Sequence, residues 1–211
     1  MMYVPEFVAL YEIIPYIRNF PLDDETIRVA VKDCIEGGKK KDTIIKKYGP
    51  IEDWNTSEVT DMSRLFGDYL YKFSEFNEDI SKWDTSKVDT MQGMFYRAEK
   101  FNQPIGEWDT SNVTHMGNMF SEACNFNQPI CGWNTSKVTD MWDMFYNAKK
   151  FNQPIGEWDT SSVSVTSYMF YGAKRFNKSI VEWNTSSVTD MEKMFLEAEN
   201  FNHENAPWYR E

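Results

Sequence analysis

Residues 108–130 read WDTSNVTHMGNMFSEACNFNQPI and residues 133–155 read WNTSKVTDMWDMFYNAKKFNQPI. The second stretch is the first moved on by 25 positions. Working outward, Trp recurs at Trp54, Trp83, Trp108, Trp133, Trp158, Trp183 and Trp208, with a first spacing of 29 residues and five spacings of 25. The longer first unit carries its extra residues between Gly67 and Phe73. A position held fixed through six copies of one chain meets the same surroundings six times, and a stack of equivalent units supplies such surroundings.

Each unit opens Trp-Asp/Asn-Thr-Ser, followed by Val five positions after the Trp and Met eight after it, except at Thr166. A Met-Phe or Leu-Phe pair comes next, then Ala three residues later in five units, then Phe-Asn. Met116, Met119, Phe120 and Ala123 stand at i, i+3, i+4 and i+7, which predicts a short helix. Ile105–Trp108 suits a short strand leading into a turn, and Val113–Met116 a second extended piece. Asp or Asn before Thr-Ser is turn and capping chemistry. Gln-Pro before the Ile, as at Gln103-Pro104, fixes an extended entry. The expected architecture is an α/β repeat solenoid: a leucine-rich-repeat-like right-handed coil with one or two short strands and one short helix per 25 residues. Residues 1–50 are expected to form an N-terminal helical cap, and residues 51–211 the six repeats.

Trp133–Ile155 and Trp108–Ile130 carry the pattern W-[DN]-T-S-x-V-T-x-M-x-x-M-F-x-x-A-x-x-F-N-x-x-I. This resembles the repeat of BspA-like leucine-rich-repeat surface proteins, and the resemblance covers about Gly49 to Trp208. It implies a binding or adhesion role and brings no catalytic residues with it. The chain departs from the surface-displayed members in showing no signal peptide, lipobox cysteine or C-terminal anchor. The compartment therefore stays open, an intracellular one being favoured and surface display resting on the resemblance alone.

The formal net charge is −11, which disfavours nucleic acid and anionic lipid as partners and leaves a basic protein partner open. Cys34, Cys124 and Cys131 form no CxxC, and only two histidines accompany them, so neither a disulfide framework nor a zinc site is indicated. No run of about 18 apolar residues occurs, so no transmembrane helix is expected. Ahead of the repeats, Asp23 or Asp24 is placed to cap a helix with the apolar stripe Ile27, Ala30, Val31, Cys34 and Ile35, stopped by Gly37-Gly38. A second short helix is expected from about Asp42 to Tyr48, and the first twenty residues either form a further helix up to Pro15 or pack along this helical lid.

Positions that vary from unit to unit are those that packing does not dictate. After the Phe of the Met-Phe pair stand Gly67, Tyr96, Ser121, Tyr146, Tyr171 and Leu196. Tyr96, Tyr146 and Tyr171, with Trp142 and Tyr168, are the candidate contact residues, because aromatic side chains offer area at low entropic cost. Tyrosines half-buried against neighbouring units are the alternative reading. A second stripe, before each first Met, contains Asp61, His115, Asp140 and Asp190, and its acids point to a basic partner.

The repeated Trp residues Trp54 to Trp183 and the repeated Asn77, Asn102, Asn127, Asn152, Asn177 and Asn202 are expected to form structural ladders. No GxSxG, HExxH or Walker loop occurs, so no catalytic residue, metal or cofactor is expected. The function expected is a non-enzymatic protein–protein interaction or adhesion-type module. A structural element that self-associates through its open C-terminal edge is an alternative, as is carbohydrate binding by exposed aromatics. A column of Thr hydroxyls (Thr56, Thr85, Thr110, Thr135, Thr160, Thr185) raises ice binding as a rival.

Overall fold

The structure, a computed structural model of the chain, describes residues 20–67, 70 and 72–210. The further helix or lid packing expected before residue 20, and part of the insertion between Gly67 and Phe73, lie outside the described residues.

Two helices precede the repeats: α1 (Asp24–Glu36) and α2 (Gly38–Tyr48). Asp23 caps α1 in a reciprocal pair with Thr26. Its carboxylate accepts from the Thr26 N–H at 2.8 Å, and the Thr26 hydroxyl accepts from the Asp23 N–H at 2.8 Å. Gly37, at φ 76°, ends the helix in the left-handed region that a side chain resists. The second helix starts at Gly38, four residues before the Asp42 that the sequence suggested, because the lysines at 39–41 are good helix formers on an exposed face.

From Ile51 onward the units stack. Asp61, Thr90, His115, Asp140, Val165 and Asp190 pair in that order, each parallel to the next. Among the described residues no α-helix forms within the repeats, so the short helix expected over Met116–Ala123 is corrected to a run of turns. The N–H groups of Met119, Ser121 and Ala123 close turns onto the carbonyls of Met116, Asn118 and Phe120. Those of Met116, Asn118, Phe120 and Glu122 instead donate to Asp140, Trp142, Met144 and Tyr146 of the next unit. Every second peptide thus lies along the stack with its N–H towards the C-terminal side.

Asn118 and Glu122 sit at φ 59° and 60°, and the equivalent residues of the other units share that sign of φ. A positive φ at the third residue of a turn is the type II arrangement. Two such turns place Met116, Met119, Phe120 and Ala123 inward, which reproduces helical spacing without a helix. Ile105–Trp108 is likewise corrected from strand to turn, closed by the Trp108 N–H on the Ile105 carbonyl at 3.3 Å.

The interior is a set of aromatic columns. Phe95, Phe120 and Phe145 stack with centroids 5.6 and 5.7 Å apart, and each lies 3.8–3.9 Å from the second Phe of its own unit. All of these rings are fully buried. At about 2–3 kcal/mol per buried Phe, they supply much of what holds the units together. The Thr hydroxyls support the stack from within it. Thr85, Thr110, Thr135 and Thr160 are buried and donate to the next unit's backbone carbonyl at 2.9–3.0 Å. An ice-facing hydroxyl column is therefore excluded.

The two ends of the stack differ. At the first unit, the Asp24 carboxylate of α1 accepts from the N–H groups of Thr60 and Asp61 at 2.7 and 2.9 Å. Arg28 donates to the carbonyls of Ser63 and Asp61 and pairs with the Asp61 carboxylate at 3.0 Å. Two side chains of α1 thus take the place of a preceding unit's backbone. At the other end, the N–H groups of Met191, Lys193, Phe195 and Glu197 find no acceptor among the described residues, unlike their equivalents in earlier units. No helix among the described residues is long and apolar enough to cross a membrane.

Candidate functional site: an aromatic cleft over the turn ladder

The outer surface of the turns carries the variable residues. Where the inward Met and Phe positions are constrained by the columns, the intervening ones face outward. In register, Ser63, Gln92, Gly117, Trp142, Ser167 and Glu192 occupy one column, and Arg64, Gly93, Asn118, Asp143, Tyr168 and Lys193 the next. Trp142 lies directly over Gly117: a Cβ there would run into the indole Nε1. Only a glycine in the preceding unit leaves Trp142 this seat.

Trp142 thereby forms one wall of a cleft of about 210 Å³, with Tyr96, Gly93, Asn118, Asp143 and Arg64 among its lining residues. The Arg64 side chain lies along Gly93 at the far end, its Cγ 3.2 Å from where a Cβ would stand. Asn118 is only 9% exposed, yet its side-chain amide makes no hydrogen bond among the described residues. Asp143 is half-buried, and its carboxylate likewise accepts no hydrogen bond there. Burial, with the Asp140 carboxylate nearby, pushes the Asp143 pKa up to about 6. Asp140 is raised as well, by burial, against the opposing pull of the Trp142 N–H that it accepts at 3.0 Å and of nearby His115.

A second cluster continues the same surface. Tyr146 and Tyr171 stack with centroids 4.8 Å apart, and Tyr168 sits 6.2 Å from Tyr171. The Tyr171 hydroxyl donates to Glu197 at 2.7 Å and the Tyr168 hydroxyl to Glu192 at 3.2 Å, while the Lys193 ammonium lies over the Tyr168 ring. Tyr146 has its pKa raised, by burial first and then by Asp143, which links the two clusters.

The structure thus brings Tyr96 and Trp142 together in the cleft, and Tyr146, Tyr168 and Tyr171 beside it. Each of these is half-buried, and the Arg97 guanidinium lies over the Tyr96 ring. The acid stripe is less uniform. Asp61 is engaged by Arg28 in the cap seam, Asp140 borders the cleft, and His115 and Asp190 are exposed. Asn118, Asp143 and Gly117 were not singled out by sequence reasoning as contact residues. The 25-residue register that places Gly117 under Trp142 is the signal that would have found them.

The repeated Trp and Asn residues hold the stack. Each of Trp83, Trp108, Trp133, Trp158 and Trp183 donates its indole N–H to the Ile carbonyl of the unit before, at 2.9–3.2 Å. Trp54 donates instead to the Gly49 carbonyl. The backbone N–H groups of Asn102, Asn127, Asn152, Asn177 and Asn202 each donate to the side-chain oxygen of the Asn one unit back, starting from Asn77, at 2.8–3.0 Å. Cys34, Cys124 and Cys131 are free thiols, and among the described residues no group of three His, Cys, Asp or Glu is placed to hold a metal ion.

One family model matches this chain, over residues 39–137 and 128–211; its description reads Mycoplasma protein of unknown function, DUF285. No curated protein and no solved structure matches it.

Proposed function

The chain belongs to the DUF285 family, whose repeat-type domain has no assigned function, and on that premise we propose that it is a non-enzymatic protein–protein interaction module. We read the stacked units as a leucine-rich-repeat-like right-handed solenoid of the BspA-like kind, with turns where that pattern suggested helices. The observation that carries the reading is the run of aromatics on one surface, Tyr96, Trp142, Tyr146, Tyr168 and Tyr171. They stand at positions where other units hold Gly, Ser, Asn or Glu, so the stack itself does not require them. Half-buried aromatics with one open face are the usual anchors of protein interfaces. The acids Asp140 and Asp143 among them favour a basic partner.

The test is affinity capture from host lysate with the wild-type chain and with a variant carrying Tyr96→Ser, Tyr146→Ser and Tyr171→Ser, its fold checked by circular dichroism. Loss of the captured partner with the variant is expected. Equal recovery by both chains overturns the reading.

A second reading, a structural element extended through its C-terminal edge, is favoured by the open N–H groups of Met191, Lys193, Phe195 and Glu197. Those four donors call for a row of carbonyls, so this stretch of the edge does not pair with the same stretch of a second copy. Mass by light scattering that rises across a concentration series supports this reading; a constant monomer mass removes it.

A further inference from the structure

We propose that the cleft between Tyr96 and Trp142 binds a guanidinium group, the side chain of an arginine on a basic partner. This rests on the interaction reading above and names the chemistry that its surface recognises.

Four observations converge on it. The cleft has a built wall: Trp142 stands where it does because Gly117 beneath it lacks a Cβ. A flat indole face suits a planar cation, which stacks on it at low desolvation cost. The Asp143 carboxylate is half-buried beside that wall and accepts no hydrogen bond among the described residues. Two parallel N–H···O bonds from a guanidinium fork fit a carboxylate in that condition. Asn118, nine-tenths buried in the same cleft, makes no side-chain hydrogen bond among the described residues, and its amide oxygen, reachable from solvent, is a further acceptor for the remaining guanidinium N–H groups. Asp140 adds negative charge on the Trp142 side. The nearby Glu122 is already held by Arg97 at 3.0 Å, so it contributes little.

Arg64 sets the direction of binding. Its side chain lies along Gly93, at the end of the cleft away from Asp143. Arg64 occupies that end, which leaves the Asp143 end for an incoming cation. A volume of about 210 Å³ holds a single side chain and not a folded segment.

The test uses the full chain, ¹⁵N-labelled, with N-acetyl-arginine methylamide as the probe and N-acetyl-citrulline methylamide as its uncharged isostere. The Trp142 indole N–H resonance is assigned from its loss in Trp142→Phe. A saturable shift of that resonance with the arginine probe is expected, with at least tenfold weaker response to citrulline. Asp143→Asn keeps the shape of the cleft and is expected to weaken arginine binding at least fivefold. Gly117→Ala, which pushes Trp142 from its seat, is expected to weaken it without altering the Asp143 carboxylate. Equal responses to the two probes, no saturable shift, or unchanged binding by Asp143→Asn would each overturn the proposal. Capture of a partner that the tyrosine variant loses, combined with no arginine response, overturns this cleft chemistry and leaves the interaction reading standing.

Discussion

The indole N–H of Trp133 donates to the main-chain carbonyl of Ile105 at 3.0 Å, so each unit's first residue is pinned to the unit before it. The ring also stacks on Trp158 at 6.4 Å and is 4% exposed. Hydrogen bond and ring packing are separable by substitution. Trp133→Phe removes the donor, leaves the buried Ile105 carbonyl with only its 3.3 Å turn bond from the Trp108 N–H and shortens the ring. A loss of about 2–4 kcal/mol is expected in urea unfolding of the full chain. A loss under about 0.5 kcal/mol would mean that the turn bond alone satisfies the carbonyl and that the indole ladder adds nothing to stability.

Asp24 supports the other dimension of the fold, the seam between α1 and the first unit. Burial opposes its ionised form, but hydrogen bonds from the backbone of Asp61 and Thr60 and from the Thr60 hydroxyl, with Arg28 nearby, outweigh that and hold its pKa below the ordinary value. The seam is therefore most stable above the ordinary carboxylate range and weakens as pH falls through the lowered pKa. Asp24→Ala strands two backbone N–H groups, and a destabilisation of about 2–3 kcal/mol is expected. Hydrogen exchange at the Thr60 and Asp61 amides checks the cause: protection should fall there first, and unchanged protection would assign the seam to apolar packing alone.

The turn ladder makes a contrast between two glycines. Gly93 sits at φ 62°, while Gly132 has an ordinary φ and a Cβ there would meet only the Gly106 carbonyl oxygen, at an ordinary contact distance of 4.0 Å. Gly93→Ala is expected to cost about 1–2 kcal/mol, because a Cβ resists the left-handed region. Gly132→Ala is expected to be neutral or slightly stabilising. Thermal melts of the two variants that shift alike would contradict the conformational account.

These residues also show what the sequence made legible. Trp, Phe and Asn columns could be read because each faces its own copy, so the repeat spacing alone reports their burial. The cap was legible through Asp23 and the Gly37-Gly38 stop. The helix over Met116–Ala123 was misread for a physical reason: two successive type II turns turn the same four residues inward that a helix would. The distinguishing signal lay in the column now known to have positive φ. Gly93, Asn118 and Asp143 are residue types that tolerate it and that a helix interior disfavours, while Arg64, Tyr168 and Lys193 in the same column dilute the signal. The cleft was only half legible. Tyr96 and Trp142 stood out as aromatics, but the seat under Trp142 is a contact between units and belongs to no single stretch of chain.

Asp143 carries the most direct pH signature. Its pKa is raised to about 6 from an ordinary 3.8 by burial first and the Asp140 charge second, so the fold disfavours its ionised form. Its contribution is then most favourable below about pH 4, where the group is protonated in folded and unfolded chains alike, and is lost as pH rises through about 6. Asp143→Asn removes that penalty while keeping the side chain's size. At about pH 8 the variant is expected to be more stable than wild type by about 1–2 kcal/mol, a range reduced from the full linkage value because the group is only half-buried. Near pH 4 the two should converge. Urea unfolding of both proteins across this range measures the difference directly, and parallel curves would show that Asp143 is solvated like an ordinary surface acid. A gain in stability from deleting a charge, paired with a loss of arginine binding, is the pattern of a residue kept for recognition at the expense of the fold.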